Sequence, residues 1–220
     1  ENAISFDDVV CIGTGSPGVI DSAVGEVVFW GNYDWHHVPL GPLVSSLTNK
    51  PVFVTNDANA AALGEAKYGS GKQFASSVLI TLGTGVGGGV VIDGKLFEGF
   101  RSAGTEIGHS VIVKNGIPCG CGRKGCFEQY ASARALVRQT REKMSLCPDS
   151  AMWEGLNSLE EAGGKTAFAA AAKGDRAAQE VVDGYIDYLA EGIADIVNIL
   201  RPEAILVGGG VSNEGKRLIE

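Results

Sequence analysis

Short apolar runs broken by glycine fill the first half of the chain, and helical spacing takes over in the second. Asp8-Val-Val-Cys-Ile-Gly13 reads as a buried strand. Val52–Thr55 is a β-type run that meets Asn56-Asp57 and then an alanine-rich helix. Val78–Leu82 and Val90–Ile92 flank Gly83-Thr-Gly-Val-Gly-Gly-Gly89, so strand on both sides predicts a hairpin. Ala204–Val207 reads as another buried strand, followed by Gly208-Gly-Gly210 and a helix from near Ser212. Helices are predicted near Pro42–Thr48, from Phe127 to Met144, near Lys165–Lys173, and from Gly174-Asp175 to about Leu200. In the last, Val181, Val182, Ile186, Leu189, Ile193, Ile196, Val197 and Leu200 form a stripe that reads as core. Arg201-Pro202 stops it. Residues 25–50 read as an irregular loop holding Trp30, Trp35, His36 and His37, and Lys143–Leu159 as a polar loop. Strands alternating with helices predict an α/β fold.

Composition narrows the class. At 220 residues the chain suits one large domain or two small ones, and 45% hydrophobic residues suffice for a core. A net charge of −8 speaks against a nucleic-acid or anionic-membrane surface on this portion. Five cysteines, three of them clustered, fit a reducing compartment. No apolar run approaches a membrane span, so the expectation is a soluble cytoplasmic protein. The chain opens at Glu1 almost directly on a strand-like segment and ends at Glu220 inside a helix-like pattern. Both ends read as cut.

Four glycine-rich stretches are candidates for phosphate chemistry. Gly13-Thr-Gly-Ser-Pro-Gly18 has the G-x-G-x-x-G form of a dinucleotide site, but Pro17 and the following residues break the required helix. A tight glycine loop at a strand end, beside a ligand, remains. Gly69-Ser-Gly-Lys72 fails as a P-loop because Gln73 replaces Ser/Thr and the earlier glycine is missing. In Gly83-Thr-Gly85, backbone N–H groups can approach a phosphate and the Thr84 hydroxyl adds a donor. The alternative there is a bulged hairpin. Gly208–Gly210, between strand and helix, suits backbone contact with a nucleotide. Asn56-Asp57 fits both an N-cap and a ligand-contacting junction.

The most concentrated chemistry is Gly104-Thr-Glu-Ile-Gly-His109 followed by Cys119-Gly-Cys-Gly-Arg-Lys-Gly-Cys126. His109, Cys119, Cys121 and Cys126 offer one imidazole and three thiolates, a full tetrahedral set for zinc. Glycines at 120, 122 and 125 let the backbone turn around an ion. A Cys119–Cys121 disulfide would close a very small ring, and any pairing with Cys126 leaves a thiol over. Redox chemistry and chance remain as alternatives. Four protein ligands leave no open position, so the metal reads as structural. Glu106 and Glu128 flank the cluster, with Glu128 in the first turn of a helix, where a carboxylate suits the dipole.

Together with Asn56-Asp-Ala-Asn-Ala-Ala, Leu82-Gly-Thr-Gly-Val-Gly-Gly-Gly and Val207-Gly-Gly-Gly-Val-Ser, these motifs run in order over nearly the whole chain. The sequence thereby resembles the ROK family of bacterial sugar kinases and sugar-sensing repressors, and most specifically its glucokinases. The resemblance implies an actin-like ATPase (ribonuclease H-like) fold with two α/β domains and an interdomain cleft. Residues 1–57 would be part of the smaller domain and 58–220 the larger one with the zinc knot. It implies ATP-dependent phosphorylation of a hexose, with Asp57 as general base for the 6-hydroxyl. Asn56, Glu106, His109 and Glu128 would bind sugar hydroxyls. Gly83, Thr84 and Gly85 would meet the phosphates of ATP with its Mg²⁺, and Gly208, Gly209 and Gly210 the adenosine side. His109, Cys119, Cys121 and Cys126 would hold structural Zn²⁺. A homodimer or higher homo-oligomer is the expected assembly. The family's kinases also carry an Asp-x-Gly-Gly-Thr segment, which here would lie upstream of Glu1. A chain without it would hold ATP poorly. Competing readings are a sugar-responsive repressor with an upstream helix-turn-helix, and an N-acetylmannosamine or other hexose kinase.

Overall fold

The computed structural model describes residues 5–30 and 33–219; Glu1 and Glu220 lie outside them. Two compact units divide the chain: Glu1–Leu79 with Gly88–Thr105, and Ile80–Gly87 with Glu106–Glu220.

Unit 1 begins with a single 3-10 turn at Phe6–Asp8, capped by Ser5. β1 follows at Ile12–Ser16, then β2 (Val19–Asp21), β3 (Glu26–Trp30), β4 (Trp35–Val38), α1 (Leu40–Thr48), β5 (Val52–Asn56) and α2 (Asp57–Tyr68). β1 pairs parallel with β5, Gly15 opposite Thr55 and Ser16 opposite Asn56. The expected strand at 8–13 is therefore shifted towards the C-terminus, and it is not buried: Val10 is 83% exposed. Asp8 is instead drawn into the 3-10 turn, whose capping box joins Ser5 and Asp8. The shift also turns Gly13–Ser16 from loop into strand. Gly15 is needed there, because a Cβ would sit 3.1 Å from Asp57 Cα. Within the expected irregular loop at 25–50, β3 and β4 instead join β2 in an antiparallel sheet, while the helix expected near Pro42–Thr48 is α1. Val27 in β3 joins Ile20 and Val54 in a small core, on which Trp30, Trp35, Val38 and Leu40 pack. Two tryptophans at β-propensity positions fit that pleated, half-buried surface.

β6 (Ser77–Leu82), β7 (Val86–Ile92), β8 (Lys95–Phe97) and, much later, β9 (Ala204–Gly208) form a sheet of order β8-β7-β6-β9. The glycine hairpin is tighter than expected, since β7 runs through Gly87–Gly89 and leaves only residues 83–85 as the turn. Asp93 and Gly94, both at positive φ, close β7 on β8.

Unit 2 carries the remaining helices. The amphipathic stretch after the cysteines is broken in two, α3 (Glu128–Ala131) and α4 (Ala133–Leu146). Ser132 is extended at the break, and its side chain caps α4 at Ala135 N. A 3-10 turn at Ala151–Trp153 and another at Leu159–Glu161 punctuate the polar stretch. α5 (Thr166–Ala172) and α6 (Arg176–Leu200) match their patterns, α6 capped by the Asp175 carboxylate. The α6 stripe is buried at Val181, Val182, Leu189 and Ile196, and Tyr185 joins it. Val197 and Leu200 do not, at 41% and 36% exposure. β9 is half-buried along its length rather than buried. The helix expected from Ser212 is a 3-10 turn at Gly210–Glu214, followed by α7 (Lys216–Ile219). Among the described residues no helix is long and apolar enough to cross a membrane.

Candidate functional site

The segment carrying His109 and the cysteines has almost no regular structure. A 3-10 turn holds Ile107–His109, and two isolated bridges, Val111 with Cys126 and Pro118 with Lys124, fold the rest back on itself. Gly108 permits the turn to lie on the start of β7, where a Cβ would meet Val86 O at 2.0 Å. Gly125, at φ 80°, passes so close to Val113 O that only glycine fits.

This folding gathers the four sequence-predicted ligands. His109, Cys119, Cys121 and Cys126 each offer an atom, and these all lie within 4.8 Å of one another. Cys119 Sγ is 3.6 Å from His109 Nδ1, and Cys121 Sγ is 3.6 Å from Cys126 Sγ. A tetrahedron with bonds of about 2.3 Å to sulfur and about 2.1 Å to nitrogen has edges of about 3.6–3.8 Å. The spacing and the donor set thus fit a structural zinc ion, and the Cys121–Cys126 sulfur separation exceeds the disulfide bond length of about 2.05 Å. Burial pushes the Cys119 thiol up to about 12, and burial also raises Cys126. Cys121 is lowered, chiefly by the Arg123 backbone N–H.

Glu128 stands beside the cluster at the start of α3. Its Oε1 lies 3.0 Å from Cys119 Sγ and 3.6 Å from His109 Nδ1, with a side chain 21% exposed. On its other side is Gly85: a Cβ there would come within 2.7 Å of Glu128 Oε2. The Gly83–Gly85 turn is itself anchored by the Ala133 N–H to Gly83 O at 2.8 Å. Gly209, at φ 90°, lies against the strand leading into this turn, its Cβ position 2.6 Å from Leu82 O. In unit 2, then, the second glycine loop touches the end of β6, the glycine turn touches Glu128, and Glu128 touches the metal-ligand set. Glu106, exposed, opens the second segment of this unit.

Asn56 and Asp57 belong to unit 1. Asn56 caps α2, its Oδ1 accepting from Ala58 N at 2.9 Å and Asn59 N at 3.3 Å, while Nδ2 donates to Gly18 O. That leaves one amide N–H for a ligand. Asp57 is exposed, its carboxylate accepting from Ala58 N at 2.9 Å. The N-cap and ligand readings of this junction therefore divide between neighbours, Asn56 mostly committed and Asp57 largely available. His36 and His37 contact Asp34 and Glu26 and join no metal-ligand group among the described residues. Sequence reading missed Gly108 and Gly192. The second, inside the α6 stripe, lies where a Cβ would come 2.3 Å from the Phe127 ring. An isolated glycine within a helical pattern was the available signal.

A mixed α/β chain with one glycine loop against the end of a strand, a glycine turn meeting a carboxylate, and a His/Cys cluster beside that carboxylate has the character of an actin-like ATPase-fold protein. Comparison with known proteins identifies which group. The chain belongs to the ROK family, whose profile matches residues 1–220. It is 44% identical to a glucokinase of Thermotoga maritima over 94% of this chain and 66% of that protein. A crystal structure of a ROK family glucokinase from Streptomyces griseus, in complex with glucose and AMPPNP, superposes with a TM-score of 0.86 at 40% identity, covering 96% of this chain and 69% of that one. A xylose repressor of Caldicellulosiruptor bescii is 33% identical over 96% of this chain and 53% of its own length. The chain thus spans about two thirds of the glucokinases it matches and about half of the repressor.

Proposed function

We propose that this protein phosphorylates a hexose at its 6-hydroxyl with ATP as donor, glucose being the first candidate. The carrying observation is the run of contacts in unit 2 from Gly209 through Leu82 and the Gly83–Gly85 turn to Glu128. This run supports a reading in which the Gly208–Gly210 loop serves the nucleotide, the Gly83–Gly85 turn the phosphates and Glu128 the sugar, the order that phosphoryl transfer to a sugar requires. The likeness to a glucokinase complexed with glucose and AMPPNP supports the same reading.

In this reading Glu106, His109, Glu128 and the remaining Asn56 N–H hold the sugar hydroxyls. Asp57 takes the proton of the 6-hydroxyl as its oxygen bonds to the γ-phosphorus and the bond to ADP breaks. The Gly83–Gly85 turn receives the phosphates that arrive with Mg²⁺, through the Thr84 hydroxyl and the Gly85 N–H, while the Gly83 N–H donates to Gly85 O at 3.0 Å and holds the turn. Gly208–Gly210 face the adenosine. His109, Cys119, Cys121 and Cys126 hold Zn²⁺, which supplies structural bracing and fixes the His109 ring. A domain boundary after Asp57, a homo-oligomeric assembly and a cytoplasmic location belong to the same proposal.

ADP release by the full-length protein over a hexose panel tests it. Glucose-dependent turnover is expected, and Asp57→Asn should lower kcat by about 10²–10⁴-fold, the range for loss of a general base. Near-normal kcat in that variant would remove Asp57 from the role. Tight sugar binding with no turnover on any hexose would favour the repressor relatives. Preference for N-acetylmannosamine would move the substrate, not the chemistry.

A further inference from the structure

Glu98, just after β8, belongs to none of the residue sets above, yet both its carboxylate oxygens are engaged. Oε1 accepts the Thr55 hydroxyl at 2.7 Å, and Oε2 accepts the Ser22 hydroxyl at 3.1 Å. Ser22 Oγ lies 2.7 Å from Ser102 Oγ. A carboxylate only accepts, so the Ser22 proton points at Glu98 and Ser102 must donate to Ser22. Three parts of unit 1 meet here: the residue after β2, the end of β5, and the stretch 98–105.

That stretch has a second tie. Thr105 Oγ1 donates to Asn59 Oδ1 at 3.3 Å, and Asn59, in the first turn of α2, is 2% exposed. The two ties grip the β5–α2 corner on either side of Asn56-Asp57, through Thr55 before it and Asn59 after it. Thr105 is the last residue of unit 1, and Glu106 follows it in the chain. Between the ties the backbone holds left-handed φ at Arg101 (52°), Ser102 (55°) and Thr105 (64°), which residues with a Cβ keep only when their surroundings enforce it. The stretch closes at its base, Gly104 N donating to Glu98 O at 2.7 Å.

We propose that Glu98 is a positioning residue for hexose binding and transfer. Through Thr55 it sets the corner that carries Asn56 and Asp57, and through Ser22 and Ser102 it fixes the stretch that leads into Glu106. The inference rests on the hexose-kinase reading above. It goes further by assigning alignment of the general base to a residue that touches no substrate.

The test uses Glu98→Ala, Glu98→Gln and Thr55→Val in the full-length protein. Glucose Kd is read by calorimetry without ATP, alongside kcat and both KM values. Glu98→Ala and Thr55→Val should raise the glucose Kd and KM by roughly 10-fold, the scale of a hydrogen bond to a charged group. They should lower kcat by roughly 10–100-fold, as a base displaced by about 1 Å would. The KM for ATP should stay unchanged. Glu98→Gln should largely restore both, because the amide oxygen keeps the Thr55 proton while its NH₂ donates to Ser22, whose own proton turns to Ser102. Thr55→Val keeps the side-chain shape and so reports even if Glu98→Ala fails to fold. A purely structural network predicts lowered melting temperatures with normal glucose Kd and kcat in the folded variants, and that result overturns the proposal while leaving the kinase reading intact. A wild-type protein that neither binds nor turns over any hexose overturns both, the kinase reading first.

Discussion

Gly85 joins two parts of the proposed site. The absence of a side chain lets the phosphate-type turn approach Glu128, and a methyl group would stand 2.7 Å from Oε2. Gly85→Ala should therefore displace the carboxylate and raise hexose KM by roughly 10-fold, about one charge-assisted hydrogen bond. Its melting temperature should move little, since Gly85 is not at positive φ and the Thr84 tip of the turn is exposed. Steady-state kinetics and a melting curve check both halves. The gathering of His109 with the three cysteines was legible because thiols and an imidazole at short spacing announce a candidate metal set locally. The approach of Gly85 to Glu128 was not, because it joins residues distant in sequence through the packing of α3 beside the end of β6. Asp57 was legible as a junction residue. That Asn56 would take most of the capping and leave Asp57 available depends on hydrogen bonds, which residue type alone does not reveal.

Among the elements, α6 was the most readable. Its apolar spacing and its opening Asp175 mark it, and the structure adds a second task for that carboxylate. Asp175 accepts from Ala178 N at 2.7 Å and from Ala151 N at 2.7 Å, so it ties the preceding 3-10 turn to the helix. These bonds, the one from Ala178 foremost, hold its carboxyl below the usual range. A depressed folded pKa contributes stability above the unfolded value of about 3.9 and loses it as pH falls through the folded one. Asp175→Ala should cost about 1–2 kcal/mol at neutral pH, and the deficit should shrink below about pH 4. Urea unfolding at both pH values measures it. Gly192, one of the α6 residues buried against the rest of unit 2, receives the Phe127 ring, itself 1% exposed. Gly192→Ala overpacks that contact and should cost about 1–3 kcal/mol, with reduced zinc content as Phe127 shifts between Cys126 and Glu128. The β2-β3-β4 sheet was illegible for the opposite reason. Its strands are short and aromatic, with charged residues between them, so period-two alternation never runs long enough to declare itself.

For the whole molecule, order of motifs carried more than periodicity. Helical and strand patterns alone reached an α/β fold, and the ordered glycine, Asn-Asp and His/Cys motifs narrowed it to one family. A bound metal should matter to the entire unit, because the segment it would gather is held by turns and isolated bridges rather than by helix or sheet. Chelation is expected to lower the melting temperature by more than about 5 °C and to weaken hexose binding about 10-fold or more, with one zinc per chain measured before treatment. Metal-free protein that binds glucose normally would reduce the knot to a staple.

The chain passes from one unit to the other at 79/80, back at 87/88, and across again at 105/106. No single cut can yield the two units as separate pieces. A fragment ending at Thr105 would carry Ile80, Leu82 and Val86, which are 0%, 0% and 7% exposed in the intact chain, without the rest of unit 2. Such a fragment should aggregate when made alone and recover solubility only when co-expressed with 106–220. Surface-display or reporter fusions to this protein should therefore keep residues 77–106 uninterrupted, and split-reporter designs should place the break elsewhere.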